Sequence, residues 1–167
     1  MLIVFGGLPG AGKTVIARTL ARQIDAVYVR IDSIEQALRE SGVIKDALND
    51  AGYRAAYAIA EDNLRLGRTV IADCVNPLQL TRDAWVAVAE RAGASAVEIE
   101  ITCSDANEHR RRVESRASDV PGLRLPTWDE VIFREYHPWD REHLVIDTAV
   151  LTPEQSVATI RAMLSER

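Results

Sequence analysis

Three features of the sequence predict an α/β fold built on a parallel sheet covered by helices on both faces. Short apolar runs recur along the chain, and each is almost continuously hydrophobic, as a strand buried on both faces must be. Stretches with apolar residues at helical spacing separate them, which supplies the crossover that parallel strands need. The first run, LIVFG, leads directly into the glycine-rich stretch GLPGAGKT at residues 7–14.

The elements follow in order. Leu2–Gly6 is the first strand, and a helix that starts inside the glycine loop runs to about Ile24. Ala26–Ile31 makes the second strand. It precedes DSIEQALRE, a short helix that Asp32 or Ser33 is placed to cap. A longer helix around Ala47–Leu66 carries Ala, Tyr and Leu at helical spacing and stops at Gly67. Thr69–Val75 is the third strand, RDAWVAVAERAG the next helix, and Ala96–Thr102 the fourth strand. The charged helix NEHRRRVESR then opens an irregular segment, residues 117–143, broken by Pro121, Pro126 and Pro138. HLVIDTA supplies a fifth strand, and a terminal helix begins with Pro153 in its first turn.

With 167 residues and neither repeats nor a linker, one domain spanning 1–167 is expected. The net charge of −5 gives no global pull toward nucleic acid or anionic membrane, so any basic site must be local. A polynucleotide partner is therefore open but not favoured. Cys74 and Cys103 lack metal-ligand spacing and read as buried reduced thiols. The apolar start is too short for a signal peptide or a membrane span, so a cytoplasmic protein without membrane attachment is expected. A monomer and a small homo-oligomer both fit.

GLPGAGKT satisfies the phosphate-loop pattern G-x-x-x-x-G-K-S/T through Gly7, Gly12, Lys13 and Thr14. Its place between a strand and a helix is the context that pattern requires. Glycines let successive N–H groups turn into one concavity, and the helix N-terminus adds partial positive charge. The backbone of Gly7, Leu8, Pro9, Gly10, Ala11, Gly12, Lys13, Thr14 and Val15 would cradle a nucleotide's phosphates. Lys13, one of only two lysines in the chain, would bridge the β- and γ-phosphates, and Thr14 would offer its hydroxyl to Mg²⁺. A guanine-reading motif is missing from the sequence, so ATP is expected rather than GTP.

Ligands of such sheets lie beyond the carboxyl ends of the strands, where three acids fall. Asp73, in VIADCVN, is positioned to hold Mg²⁺ or its waters; strand-terminal acids also pair with basic neighbours. Asp32, in VRIDS, is the candidate general base, with helix capping as its structural alternative. Asp147 reads as structural or near the purine. Arg112 and Arg116, spaced i,i+4, share a face of the helix that enters the irregular segment. One reading makes this the start of a small helical lid, approximately residues 110–141, that brings an arginine to the transferring phosphoryl group and excludes water. The other is a solvated helix laced with Glu–Arg pairs such as Glu108 with Arg112. Tyr136, His137 and Trp139 would pack the segment shut or line an acceptor pocket, and none of the histidines has a convincing metal partner.

GGLPGAGKT, VRIDSIEQAL, VIADCVNP, EHRRRVESRASDVPG and LVIDTA, in that order, resemble the small P-loop kinases of the chloramphenicol phosphotransferase, zeta toxin and gluconate kinase type. The resemblance spans nearly the whole chain. It implies a P-loop NTPase fold with five parallel strands in the order 2-3-1-4-5. It also implies that Asp32 is the catalytic base, that Arg112 lies near adenine and that Arg116 lies at the phosphates. The expected activity is ATP- and Mg²⁺-dependent transfer of the γ-phosphate to a hydroxyl of a small-molecule acceptor, with Lys13, Asp32 and Arg116 catalytic. Arg30, Arg54, Asn76 and Arg82, with Tyr53, are the candidates to meet the acceptor. The alternatives are a nucleotide or polynucleotide 5′-kinase and a nucleotide-dependent switch without acceptor chemistry.

Overall fold

Five parallel strands lie in the order β2-β3-β1-β4-β5 in the computed structural model, which describes residues 1–42 and 48–166. They are β1 (Leu2–Gly6), β2 (Val27–Arg30), β3 (Val70–Asp73), β4 (Ala96–Thr102) and β5 (Leu144–Asp147). The expected order holds, and β1 and β4 have the predicted limits. The helices are α1 (Lys13–Gln23), α2 (Ile31–Glu40), α3 (Ala51–Arg65), α4 (Gln79–Arg91), α5 (Ala106–Ser115), α6 (Trp128–Ile132) and α7 (Pro153–Ser165). The expected start of the third helix, at Ala47, falls outside the described residues. Among the described residues no helix is long and apolar enough to cross a membrane.

Alternation along β1 divides the core. Ile3 and Phe5 face Ile16 and Leu20 of α1 and Val157 and Ile160 of α7. Leu2 and Val4 face Ala56, Ala60 and Leu64 of α3 and Trp85 and Val88 of α4. All four β1 side chains are fully buried, each stabilising the fold by about 1.5–3 kcal/mol relative to exposure. The central strand, and hence the loop after it, is held from both sides.

Local sequence sets the helix ends. Thr152 and Gln155 form a reciprocal capping box at α7, with Pro153 in its first turn, and Thr127 with Glu130 does the same at α6. The Asp105 carboxylate accepts from the Asn107 and Glu108 amides and starts α5. At α2 the expectation fails: Arg30 is the N-cap residue, Asp32 already lies in the first turn, and neither Asp32 nor Ser33 caps it. The stretch expected as a helical lid begins in the second half of α5, carries one further helix of 5 residues, α6, and is otherwise irregular.

That irregular stretch is fastened to the sheet through Arg82, which is fully buried. Its Nε donates to the Asn76 carbonyl at 3.0 Å, Nη1 to Pro138 at 2.9 Å, and Nη2 to Pro77 at 3.2 Å and His137 at 2.5 Å. The Trp139 ring stacks 4.4 Å from its guanidinium. Asn76 is equally occupied: its amide donates to the Phe5 carbonyl at 2.9 Å and accepts from the Trp85 indole at 3.1 Å. Both residues, expected at the acceptor, are framework instead, because each nitrogen of Arg82 already donates to a carbonyl. Arg54 sits on the outer face of α3, paired with Asp50 at 2.7 Å and 77% exposed. Replacing Arg82 by Ala should cost on the order of 3–5 kcal/mol, since it leaves a cavity and several unpaired carbonyls. Arg54→Ala should stay within about 0.5 kcal/mol of the parent. Urea unfolding of the two variants reads the contrast, and equal losses would contradict the assignment.

Candidate functional site

The glycine loop leaves β1 at the carboxyl end of the sheet and closes on α1. Gly7 has φ +129°, and a Cβ there would lie 2.1 Å from the Ile101 carbonyl oxygen. Gly10 has φ +86°, with a would-be Cβ 2.5 Å from Val113 of α5. Side chains at both positions are barred by packing as well as by backbone angle.

Three loop carbonyls are each held by a side chain. Leu8 O accepts from Lys13 Nζ at 2.9 Å, and Pro9 O from His109 Nε2 at 2.8 Å. Facing a carbonyl, that His109 nitrogen must carry its proton. Ala11 O lies 2.8 Å from the Thr148 hydroxyl, which is also 2.9 Å from Thr102 O and shares its proton between them. Arg112 in turn donates to the Thr148 hydroxyl at 2.8 Å and to its carbonyl at 3.0 Å. A peptide unit is planar, so fixing a C=O fixes the opposing N–H of the next residue. His109 therefore sets the Gly10 amide and Thr148 the Gly12 amide. The first amides of α1 add donors without intrahelical partners.

The charged groups converge here. Lys13 is only 8% exposed. Burial pushes its pKa below the usual lysine range, while Asp73 and Asp32 pull the other way and Arg116 adds to the depression. Asp73 ends β3 in register with Phe5 and Arg30, is 3% exposed, and accepts from the Tyr28 hydroxyl at 2.5 Å. Burial, followed by the neighbouring Asp73 charge, raises the Tyr28 pKa. Arg116, at the C-terminal cap of α5, is half-buried, and its Nε is buried without a hydrogen-bond partner. Burial lowers the Arg116 pKa, with Asp32 opposing. Asp32 is exposed, 3.5 Å from Arg30 Nη2.

Among the described residues no group of three or more His, Cys, Asp and Glu side chains is placed to hold a metal unaided. The Thr14 hydroxyl and the Asp73 carboxylate fit instead an oxygen-seeking cation that brings its own phosphate and water ligands, as Mg²⁺ does.

The remaining expected residues divide. Tyr53 is half-buried, and its hydroxyl accepts from the Asn76 backbone amide at 3.2 Å. Asp147 accepts from the Ser104 and Ala149 amides, both at 3.0 Å, which is a structural duty. Arg110 and Arg111 are solvated partners of Glu114 and Glu108, whereas Arg112 pairs with Glu108 and also reaches Thr148. Cys74 is buried and Cys103 only half-buried, and both are free. His109, Thr148, Tyr28, Arg18 and Asp119 were not anticipated. For His109 a signal existed: His109, Arg112, Val113 and Arg116 stand at i, i+3, i+4 and i+7, one face of α5.

A sheet in this order, with a glycine loop joining its central strand to a helix, defines a P-loop NTPase fold. The chain belongs to the AAA_33 family, described as an AAA domain, which it matches over residues 2–131. It is 27% identical over 98% of both chains to a cytidylate kinase of Ignicoccus hospitalis. In fold it is similar to a sugar kinase of Janibacter sp. HTCC2649, with TM-score 0.71 and 17% identity over 98% of this chain and 94% of that one. It is also similar to Chaetomium thermophilum Kti12 in complex with ADP-AlF3, with TM-score 0.70 and 23% identity over 97% and 98%.

Two outcomes follow from this geometry. A basic group whose pKa is depressed by folding is fully protonated below that value, and a bound anion raises it again. Binding of magnesium ADP at alkaline pH, between the two values, should therefore take up protons, and below the depressed value this uptake should vanish. Calorimetry in buffers of differing ionisation enthalpy measures it, with Lys13→Arg expected to abolish it. His109→Ala leaves the Pro9 carbonyl unpaired and should cost about 1–3 kcal/mol in thermal unfolding. It should also weaken nucleotide binding, whereas Arg111→Ala should change neither.

Proposed function

We propose that the chain is an ATP- and Mg²⁺-dependent phosphotransferase that moves the γ-phosphate to a hydroxyl of a small-molecule acceptor. The observation that carries this is the convergence on one loop of a buried ammonium (Lys13), a buried carboxylate (Asp73), an exposed carboxylate (Asp32) and a half-buried guanidinium (Arg116). A protein that only binds nucleotide needs neither of the last two.

The loop amides and Lys13 would hold the phosphate tail, and Arg112, fixed on Thr148 beside the loop, would lie toward the base. Mg²⁺, held by Thr14 and, directly or through water, by Asp73, would neutralise charge on the phosphates. Asp32, exposed beside Arg30, would accept the acceptor's hydroxyl proton. Arg116 would meet the charge that develops on the transferred group, its unpartnered Nε supplying a donor. The irregular segment after α5 would act as the lid that keeps water out.

A second reading, a nucleotide kinase, is favoured by the likeness to a cytidylate kinase, because cytidylate is itself a phosphate monoester. An acceptor screen that measures ADP release over antibiotics, sugars, nucleosides, cytidylate and 5′-hydroxyl oligonucleotides separates the two. Phosphate transferred to an alcohol hydroxyl, on a charged or an uncharged acceptor, supports the first reading, and transfer to cytidylate's phosphate alone supports the second. Lys13→Ala should abolish transfer, and Asp32→Asn should lower kcat by about 100-fold or more. Slow ATP hydrolysis that responds to no acceptor and survives Asp32→Asn would instead mark a switch.

A further inference from the structure

Asp119 lies in the segment that follows α5, yet its carboxylate reaches back across the site. Arg30 Nη1 donates to both of its oxygens at 2.9 Å, and Arg18 Nη2, from α1, pairs with it at 2.5 Å. Arg30 is the last residue of β2 and is only 8% exposed, and its Nε is buried without a partner. Arg116 stands close enough to feel its charge. Two guanidinium groups, from β2 and α1, thus converge on a single carboxylate supplied by the segment after α5, with Arg116 near Arg30.

We propose that Arg18 and Arg30 form a binding site for an anionic group, a phosphate or a carboxylate, carried by the acceptor, and that Asp119 is an intramolecular competitor for that site. Guanidinium forks match either anion through paired hydrogen bonds. Asp32 lies 3.5 Å from Arg30 Nη2, so an anion seated on Arg30 brings the rest of its molecule beside the carboxylate proposed as base. Partial burial works to raise the Asp119 pKa, but the hydrogen bonds from Arg30 and Arg18 outweigh it and hold the carboxyl below its usual range. The competitor is therefore ionised at neutral pH, and exchange replaces one anion by another. The same exchange frees the segment carrying Asp119, which couples acceptor binding to rearrangement of the proposed lid.

The inference rests on the phosphotransferase reading only in calling the ligand an acceptor, and its test needs no catalysis. Inorganic phosphate and acetate are titrated calorimetrically into the parent chain, Asp119→Ala, Asp119→Asn and Asp119→Ala combined with Arg18→Gln. Removal of the competitor should tighten binding of at least one anion about tenfold or more. The added Arg18→Gln change, at a residue 38% exposed, should remove that gain. Dependence on Arg18 separates this site from the phosphate loop, which also binds phosphate but does not contain Arg18. A larger gain for phosphate or for acetate identifies which anion the acceptor carries. Folded Asp119→Ala and Asp119→Asn proteins that bind both anions no better than the parent would overturn the proposal. A gain that persists with Arg18→Gln would do the same. Failure of the phosphotransferase reading would show separately, as absent acceptor-stimulated ADP release with the anion gain intact.

Discussion

The site depends on one constraint: the carbonyls of the glycine loop are tied down, so its amides have only one way to point. His109 from α5 holds the Pro9 carbonyl, and Thr148, just past β5, holds that of Ala11. Each bond orients the following glycine's N–H through the planar peptide. Leu8 is the exception that fits the pattern, because the next residue is Pro9 and has no amide to orient. Its carbonyl instead anchors Lys13. The concavity is built by elements 100 or more residues away in sequence, and it is stiff because those elements are stiff.

That rigidity lets opposed charges stay close together. Burying Lys13 is unfavourable for its ammonium, and burying Asp73 beside it offsets part of the penalty. The balance leaves a buried cation whose pKa is held below the usual lysine range. Asp32, by contrast, is exposed, while Arg30 beside it is pinned by Asp119.

The sequence made the centre of the sheet legible because β1 and β3 are buried throughout and read as apolar runs, whereas β4 is interrupted by Glu98 and Glu100 and the edge strand β5 is only partly buried. The loop was legible because glycine spacing and one lysine are a local requirement. Arg82 and Asn76 misled for a physical reason: a polar residue near a strand end looks the same in sequence whether it faces a ligand or a set of backbone carbonyls. Only the fold shows that the 136–139 stretch returns to accept from Nη1 and Nη2 of Arg82 and to stack Trp139 on its guanidinium. Asp119 was hidden for the converse reason, since its partners are 89 residues away for Arg30 and in another helix for Arg18. The helix-face spacing of His109 with Arg112, Val113 and Arg116 was visible, but a histidine without a metal partner drew no reading.

The central claim is tested most directly by amide NMR of the ¹⁵N-labelled chain during titration with magnesium ADP. Saturable shifts concentrated at the Gly10, Gly12, Lys13 and Thr14 amides are what the account predicts. No saturable change at those amides, or shifts confined to another part of the surface, would contradict it.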